Sequence, residues 1–391
     1  MSPGRVAGRP RPRLVHLTTT DMSLAWLLRP QLEAFARAGY EVIGMSAPGP
    51  FVADLEAAGI HHVPLAHATR AMAPTHDVAA AMELYRRLRE LQPDILHTHN
   101  PKPGWYGRPI GRLAKVPVVV NTVHGLYALP GDPLPKRAVV YALERMAAAC
   151  SQAELLQNPE DIDVLVRLGV PRERIHLLGN GIDLARFDPS SLGSDAREWA
   201  RAELKAPDGA LVVGVVGRLV AEKGIAEVLT AAAARRDTEP RLHWALVGPV
   251  EPEKADAVDP ASLAQAEADG VAVLGERDDV ERLYAGMDLF VLATHREGFP
   301  RAAMEAAAMG LPIVATDIRG CRQVVDDGVT GRLVPVRDAG ALARAVRELA
   351  ADPALRGRMG DAGREKALRE FDQQRVIDIT LGVYEELLGR G

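Results

Sequence analysis

Cysteine is nearly absent: Cys150 and Cys321 are the only two, and they lie far apart in the chain. That excludes a disulfide framework and any cysteine-based metal spacing, and it fits a reducing, cytoplasmic setting. Positive charge is not in excess either. A formal net charge of -5 removes any global attraction to nucleic acid or anionic membrane, so a contact of that kind needs a local patch, and no nucleic-acid partner is expected. Long apolar runs are missing as well, since none approaches the roughly 18 residues that cross a bilayer. Residues 1–13, MSPGRVAGRPRPR, hold four arginines and three prolines without an apolar block, which reads as a flexible leader rather than a signal peptide. Aromatic residues make up only 4% against 47% hydrophobic residues overall, a mix that suits helices packed on parallel strands.

At 391 residues the chain exceeds the size at which one hydrophobic core keeps growing, so two domains are expected. Short apolar runs alternate with helical patterns. RLVHLTTT (13–20), YEVIGMSA (40–47), DILHTHN (94–100) and VPVVVNTVHG (116–125) read as strands, and 24–39, 76–92 and 135–149 as helices between and after them. Such alternation means βαβ units and a parallel sheet covered on both faces. The rhythm breaks in a stretch rich in Pro, Ser, Gly and Asp around 180–209 and then restarts. ALVVGVVGRL (210–219), RLHWALVGP (241–249), VAVLG (271–275), DLFVLAT (288–294) and PIVATD (312–317) read as the strands of a second such domain. The division expected is leader 1–13, first Rossmann-like domain 14–185, linker 186–209, second Rossmann-like domain 210–373, and a final helix 374–391 returning to the first. Open α/β sheets bind ligands at the C-terminal ends of their strands, which puts the site in a cleft between the two.

Two stretches carry candidate chemistry. GRLVAEKG (217–224) follows an apolar strand and opens a helix. Gly217 permits close backbone approach, the helix start offers unpaired N–H groups, and Arg218 and Lys223 add positive charge, the outline of a diphosphate site. It matches neither the Walker P-loop nor the dinucleotide fingerprint, and a tight turn with solvated charges is the alternative. The second stretch, EGFPRAAMEAAAMG (297–310), reads as a short buried helix between Pro300 and Gly310. Its carboxylate, Glu305, needs hydrogen-bond donors, which either sugar hydroxyls or a partner within the protein would supply.

The order of GRLVAEKG, VGP and the run VLGERDD…EGFPRAAMEAAAMGLPIVATD…DDGVTGRLVPVRD over 217–338 resembles the nucleotide-sugar half of the retaining family 4 glycosyltransferases of the GT-B fold. In the first half PDILHTHNPK, NTVHGLY and GNGIDLARF are similar to acceptor-side elements of that family, especially its capsule and lipopolysaccharide branch. The resemblance implies two doubly wound Rossmann-like domains facing each other across a cleft. It also implies a metal-independent hexosyltransferase that uses a nucleotide-sugar, UDP-linked, as substrate and needs no cofactor. Arg218 and Lys223 would grip the donor diphosphate, Glu305 the ribose and Glu297 a sugar hydroxyl. Gly217, Gly275, Arg277, Gly298, Phe299, Pro300 and Arg301 would complete the donor contacts, with backbone from Gly275 to Arg277 at the base. His124 would serve the donor sugar or leaving phosphate, making it catalytic together with Arg218, Lys223 and Glu297. A strand-end histidine with a structural role is the alternative. His97 and His99 sit two apart on one strand face without a third ligand cluster, so they read as lining rather than a metal pair.

The acceptor side is read from TTTDMS (18–23), where the family often has a Gly-Gly turn. Thr20 and Asp21 either bond an acceptor hydroxyl or cap the following helix. His99, Asn100 and Lys102 are the other acceptor candidates. Trp105, Arg108, Arg112 and Lys115 form one stripe if Pro109 permits a helix, and with Arg86, Arg87 and Arg89 they either meet anionic headgroups or a diphosphate lipid or form a solvated face. The expected acceptor is a polyprenyl-diphosphate-linked saccharide reached by peripheral contact at the inner face of the cell membrane. A small-molecule acceptor, or a nucleotide-sugar epimerase on the same scaffold, is the alternative.

Overall fold

The computed structural model describes residues 10–69, 74–99, 101–128, 131–234, 240–251 and 256–389. The chain divides into two compact units, Met1–Gly179 with Gln374–Gly391, and Asn180–Gln373.

In the first unit the strands are β1 (Arg13–Thr20), β2 (Glu41–Ala47), β3 (His61–Pro64), β4 (Ile95–His99), β5 (Val118–Val123), β6 (Ala153–Leu156) and β7 (Ile175–Leu177). They form one parallel sheet in the order β3-β2-β1-β4-β5-β6-β7. The order reverses between β1 and β4, where open sheets of this kind place ligands at the strand ends. Side chains alternate between two buried faces, so these strands are apolar almost throughout. Val15, Leu17, Leu96 and Val119 fill one face. Leu14, Ile95, Val118 and Val120 fill the other, together with Val376, Ile377, Val383 and Tyr384 of the final helix Gln373–Leu387. The period of two puts His16, His97 and His99 on that second face, and β1 pairs with β4 so that His16 stands beside His97. The segment 24–39 is not one regular helix: a π-helical turn, Ser23–Leu28, runs into helix Arg29–Arg37, which carries Pro30 in its first turn. Helix Pro101–Leu113 forms and contains Pro109.

In the second unit the strands are β8 (Leu211–Val216), β9 (Leu242–Val247), β10 (Ala272–Val273), β11 (Leu289–Leu292), β12 (Ile313–Thr316) and β13 (Gly331–Val334). They form a parallel sheet in the order β10-β9-β8-β11-β12-β13, which reverses between β8 and β11. The short strands β3, β6, β7 and β13 were not anticipated. The stretch set aside as a linker is part of this unit: Ile182, Phe187 and Leu204 are buried in its core, and helix Ala196–Glu203 packs against helix Val280–Tyr284. Its Pro, Ser and Asp residues form turns over that core, so polar composition there marked surface rather than a boundary.

Candidate active site

In the second unit the neighbouring strands β8, β9 and β10 run out into Gly217, Gly248 and Gly275. Gly217 and Gly248 both have φ 147° and Gly275 φ 70°, conformations that only glycine adopts readily. Gly217 N–H donates to the Val247 carbonyl (2.9 Å) and Gly248 N–H to the Gly275 carbonyl (2.7 Å). A Cβ on Gly248 would collide with the Gly217 carbonyl, whereas one on Gly217 or Gly275 would meet nothing within 4 Å. The three turns therefore pack backbone on backbone into a floor whose outer side is open.

The turn after Gly217 does not pass straight into a helix. A 3-10 turn, Ala221–Lys223, and Gly224 at φ 71° come first, and only then helix Ile225–Ala233. Gly224 is required because a side chain there would run into the Ala293 carbonyl, at the end of β11. Two hydrogen bonds clamp the β8 and β11 turns together: the Glu222 carbonyl accepts from His295 N–H (2.8 Å) and from the Thr294 hydroxyl (3.2 Å). His295 Nε2 also meets Glu227 Oε1 at 2.9 Å. The clamp brings Lys223 Nζ onto Glu297 Oε1, each side chain 18% exposed. Two candidates from well-separated stretches thus share one spot, while Arg218 is held by Glu251 at 3.0 Å and is more open. Exposed pairs of that kind are weak, so either cation can exchange its carboxylate for a phosphate.

Helix Arg301–Ala308 starts after Pro300 and ends before Gly310, at φ 76°. Ala303, Met304, Ala306, Ala307 and Ala308 are buried, as the apolar composition required. Glu305 Oε2 accepts from the Tyr284 hydroxyl at 3.1 Å. Among the described residues no donor reaches its Oε1. Burial raises the Glu305 pKa and the Arg301 charge opposes that rise. A protein partner thus satisfies one oxygen and leaves the second for a ligand. The Phe299 carbonyl accepts from Asn180 Nδ2 (3.1 Å) and its ring packs edge-on against Phe371, which fixes the turn that carries Glu297 and Gly298. The Arg277 side chain is taken by Asp279 (2.7 and 2.8 Å) and Glu203 (2.8 Å), so at that position the backbone rather than the guanidinium faces outward chemistry. Asn180, Tyr284, Gly248 and His295 were all missed as individual residues. VGP and GNG had marked two of them only as parts of longer patterns.

In the first unit His124 follows β5, with Gly125 at φ 124°. Its Nε2 lies 3.1 Å from His99 Nδ1, and His99 Nε2 lies 2.9 Å from His16 Nδ1. His97 stacks on His99 with centroids 4.2 Å apart and is held by the Tyr384 hydroxyl and by Thr122 Oγ1 (2.7 Å). His16, His97 and His99 have ligand atoms within 4.8 Å of one another. The expectation that His97 and His99 lack a third ring is therefore corrected, because the register of β1 on β4 supplies His16. The same geometry explains why the rings are not arranged around a point: ring lone pairs lie in the ring plane, and His97 is stacked face to face on His99 instead of converging with it. Burial drives every ring toward the neutral form, His16 down to about 3, His124 down to about 4, and His97 and His99 well below their ordinary value.

The acceptor candidates fare less evenly. His99 is 1% exposed with both nitrogens engaged, so it does not line an open surface. Lys102 Nζ is tied to Asp77 Oδ1 (2.5 Å) and to the Thr69 carbonyl (2.8 Å) and hydroxyl (3.0 Å), which makes it a strap. Asp21 is 4% exposed and accepts from Met22 N–H (2.9 Å) and Phe51 N–H (2.8 Å), the capping alternative. Thr20 keeps a hydroxyl without a protein partner among the described residues. Asn100 lies outside the described residues. The basic stripe is corrected at its centre: Arg108 is fully buried, bonded to Glu144 (2.7 Å) and Glu154 (2.8 Å) and to the Gly104 carbonyl (2.8 Å). Trp105 Nε1 donates to Glu144 at 3.0 Å, so it too points inward.

Comparison with known proteins agrees with both halves. Residues 28–186 match the family described as Glycosyltransferase Family 4 and residues 196–366 the family Glycosyl transferases group 1. The capsular polysaccharide biosynthesis glycosyltransferase CapM of Staphylococcus aureus is 26% identical over 96% of this chain and 97% of its own. The UDP-Gal:alpha-D-GlcNAc-diphosphoundecaprenol alpha-1,3-galactosyltransferase of Escherichia coli is 29% identical over 80% of each. The GDP-mannose-dependent alpha-mannosyltransferase of Mycobacterium tuberculosis is 30% identical over 92% of this chain and 91% of its own. Among solved structures, Anabaena Alr3699/HepE in complex with UDP aligns with a TM-score of 0.79 at 19% identity, covering 96% of this chain and all of that one. With its two Rossmann-like units, the chain belongs to the group 1 and family 4 glycosyltransferases of the GT-B fold.

Proposed function

We propose that this glycosyltransferase moves a sugar, with retention of configuration and without a metal, from a UDP-sugar to a hydroxyl of a polyprenyl-diphosphate-linked saccharide. The observation that carries this reading is the meeting of Lys223 and Glu297 beside the glycine floor. Lys223 and Arg218 take the diphosphate and neutralise the charge that grows on it as the bond to the sugar breaks. Glu297, released from Lys223, accepts a donor-sugar hydroxyl, and Glu305 Oε1 accepts from the ribose. N–H groups of the helix start beyond Pro300 face the same oxygens. From the first unit, His124 hydrogen-bonds an oxygen of the reacting donor.

Retention follows from a front-face route. The anomeric C–O bond to the diphosphate breaks, the acceptor oxygen bonds to the same face of that carbon, and the departing phosphate oxygen receives the acceptor's proton. Glu297 is committed to its cation and to a sugar hydroxyl, which argues against its serving as a nucleophile from the opposite face. Support for the UDP base and the lipid-linked acceptor comes from the printed names of the Escherichia coli relative and the UDP complex.

Among the described residues no helix is long and apolar enough to cross a membrane. The first unit nevertheless exposes Val78, Met82 and Leu113 at 59%, 59% and 64%. They flank a groove of about 580 Å³ whose rim includes Arg86. Apolar side chains beside a cation suit the interface of an anionic bilayer, where the acceptor's lipid would be anchored.

Purified protein with UDP-sugars and a polyprenyl-diphosphate saccharide should release UDP only when the acceptor is present, and NMR of the product should show the donor's anomeric configuration. Release of UDP and free sugar without acceptor would favour the epimerase class, and release from GDP-sugars alone would overturn the base assignment. Met82→Asp with Leu113→Asp should abolish co-sedimentation with anionic vesicles while leaving the melting temperature in place.

A further inference from the structure

The three rings His16, His99 and His124 form a continuous hydrogen-bonded row. His16 and His99 have centroids 5.1 Å apart and planes 17° apart, with Nδ1···Nε2 at 2.9 Å. His99 and His124 have centroids 5.4 Å apart at 34°, with Nδ1···Nε2 at 3.1 Å. These separations are those of imidazoles joined edge to edge by N–H···N bonds, in contrast to the face-to-face stack of His97 on His99. The repeat is the same at both links: Nδ1 of one ring meets Nε2 of the next.

A neutral imidazole carries one proton, so the tautomers in such a row are coupled. Either every ring is Nδ1–H, each donating toward His124, or every ring is Nε2–H, each donating toward His16. The ends decide between them. His16 is fully buried and its Nε2 has no partner. An orphaned N–H in such a place costs more than an orphaned lone pair, because unsatisfied buried donors are the rarer case. At the other end His124 is only partly buried, and its Nδ1 also lacks a protein partner. A donor left over there is the one that a ligand oxygen can satisfy.

We infer that His16 and His99 are positioning residues that hold His124 as a neutral Nδ1–H tautomer, so that it presents a hydrogen-bond donor, not a base, to an oxygen of the sugar nucleotide. The inference deepens the role proposed for His124 and rests on it for the identity of the ligand, but the tautomer itself is a property of the free protein. His97 stands outside the row: its nitrogens go to hydroxyls, which donate or accept as needed, and its ring covers His99. Neutral rings throughout agree with the burial of the cluster.

The test is a two-bond proton–nitrogen correlation spectrum of the full chain labelled at histidine, at pH 7.5 and without ligand, with single substitutions to assign the rings. His16, His99 and His124 should all show a protonated Nδ1 and a bare Nε2. A protonated Nε2 on His99 or His124, or a charged ring at either, overturns the inference. His16→Leu removes the first donor, and His124 should then revert to the Nε2–H form that free imidazole side chains prefer. Turnover should fall about tenfold while the donor KM stays within about twofold. His16→Asn keeps an amide N–H near the position of Nδ1 and should restore both the spectrum and the turnover. An unchanged His124 spectrum in folded His16→Leu refutes the coupling, and if that variant does not fold, the wild-type spectrum still decides the tautomer. Should the spectrum be as expected and no acceptor-dependent nucleotide release be found, the proposed reaction fails and the tautomer assignment stands.

Discussion

Acidification from pH 7.5 to pH 5.0 should destabilise the first unit specifically, because its sheet buries neutral histidines that the unfolded chain protonates. The His16 pKa falls from 6.5 to about 3 in the folded protein and that of His124 from 6.5 to about 4. Between the unfolded and folded values the unfolded state binds more protons, so stability is complete above pH 6.5 and is lost as pH falls toward the folded values. At pH 5.0 each ring contributes a loss of about 2 kcal/mol relative to pH 7.5, the free energy of protonating a group of pKa 6.5 at that pH. His16 and His124 together lose about 4 kcal/mol, and His97 and His99 act in the same direction. Glu154, whose carboxyl is raised by burial, works in the opposite sense, so the decisive quantity is the difference between wild type and His16→Asn. Any packing cost of that substitution is the same at both pH values and cancels. Urea titrations in a Trp199→Phe, Trp244→Phe background, followed by the fluorescence of Trp26 and Trp105, report on the first unit. The wild type should lose about 2 kcal/mol more than His16→Asn between the two pH values, a difference of about 0.8 M in urea midpoint. An equal pH dependence in the two proteins would show that His16 is not a buried neutral ring, and the reasoning from burial would fall.

Three substitutions probe the rest. Lys223→Ala should lower turnover about 100- to 1000-fold, the scale on which one charge-stabilising donor acts, while changing the stability of the second unit by about 1 kcal/mol or less, because its pair with Glu297 is solvent-accessible. Activity within a few-fold of wild type would remove Lys223 from the diphosphate. Glu305→Gln should weaken UDP binding about tenfold in calorimetry, since a charged acceptor for the ribose hydroxyls becomes a neutral one, and unchanged affinity would return Glu305 to the structural role it shares with Tyr284. Arg108→Met should cost the first unit about 3–5 kcal/mol by leaving Glu144 and Glu154 buried without their cation. A loss below about 1 kcal/mol in urea titration would mean that the pair is not the buried node described.

What could be read in advance divides along a physical line. EGFPRAAMEAAAMG was legible as a buried helix with two chemically active carboxylates because everything needed lies within one turn-helix-turn: Pro300 to start it, Gly310 to end it, and apolar residues on every side. The strands that bury both faces were legible for the same local reason, as unbroken apolar runs, whereas β3, β6 and β7, at three or four residues, were too short to stand out from their surroundings. The histidine row was not legible. Period two says that His16 and His99 each face one side of their strand, but only the register of β1 on β4 makes them neighbours, and no local pattern encodes a register between strands so far apart. Asp21 and Lys102 failed differently. Each was a polar side chain near a strand end, and each had the chemistry of an acceptor contact. Yet the backbone N–H groups of Met22 and Phe51 claim one, and Thr69 and Asp77 claim the other. Buried polar groups on a loop must be satisfied before any ligand arrives. The side chains left for ligand chemistry are therefore those whose protein partner is exchangeable, as Lys223 and Glu297 are for each other, or those that keep one atom spare, as Glu305 and His124 do.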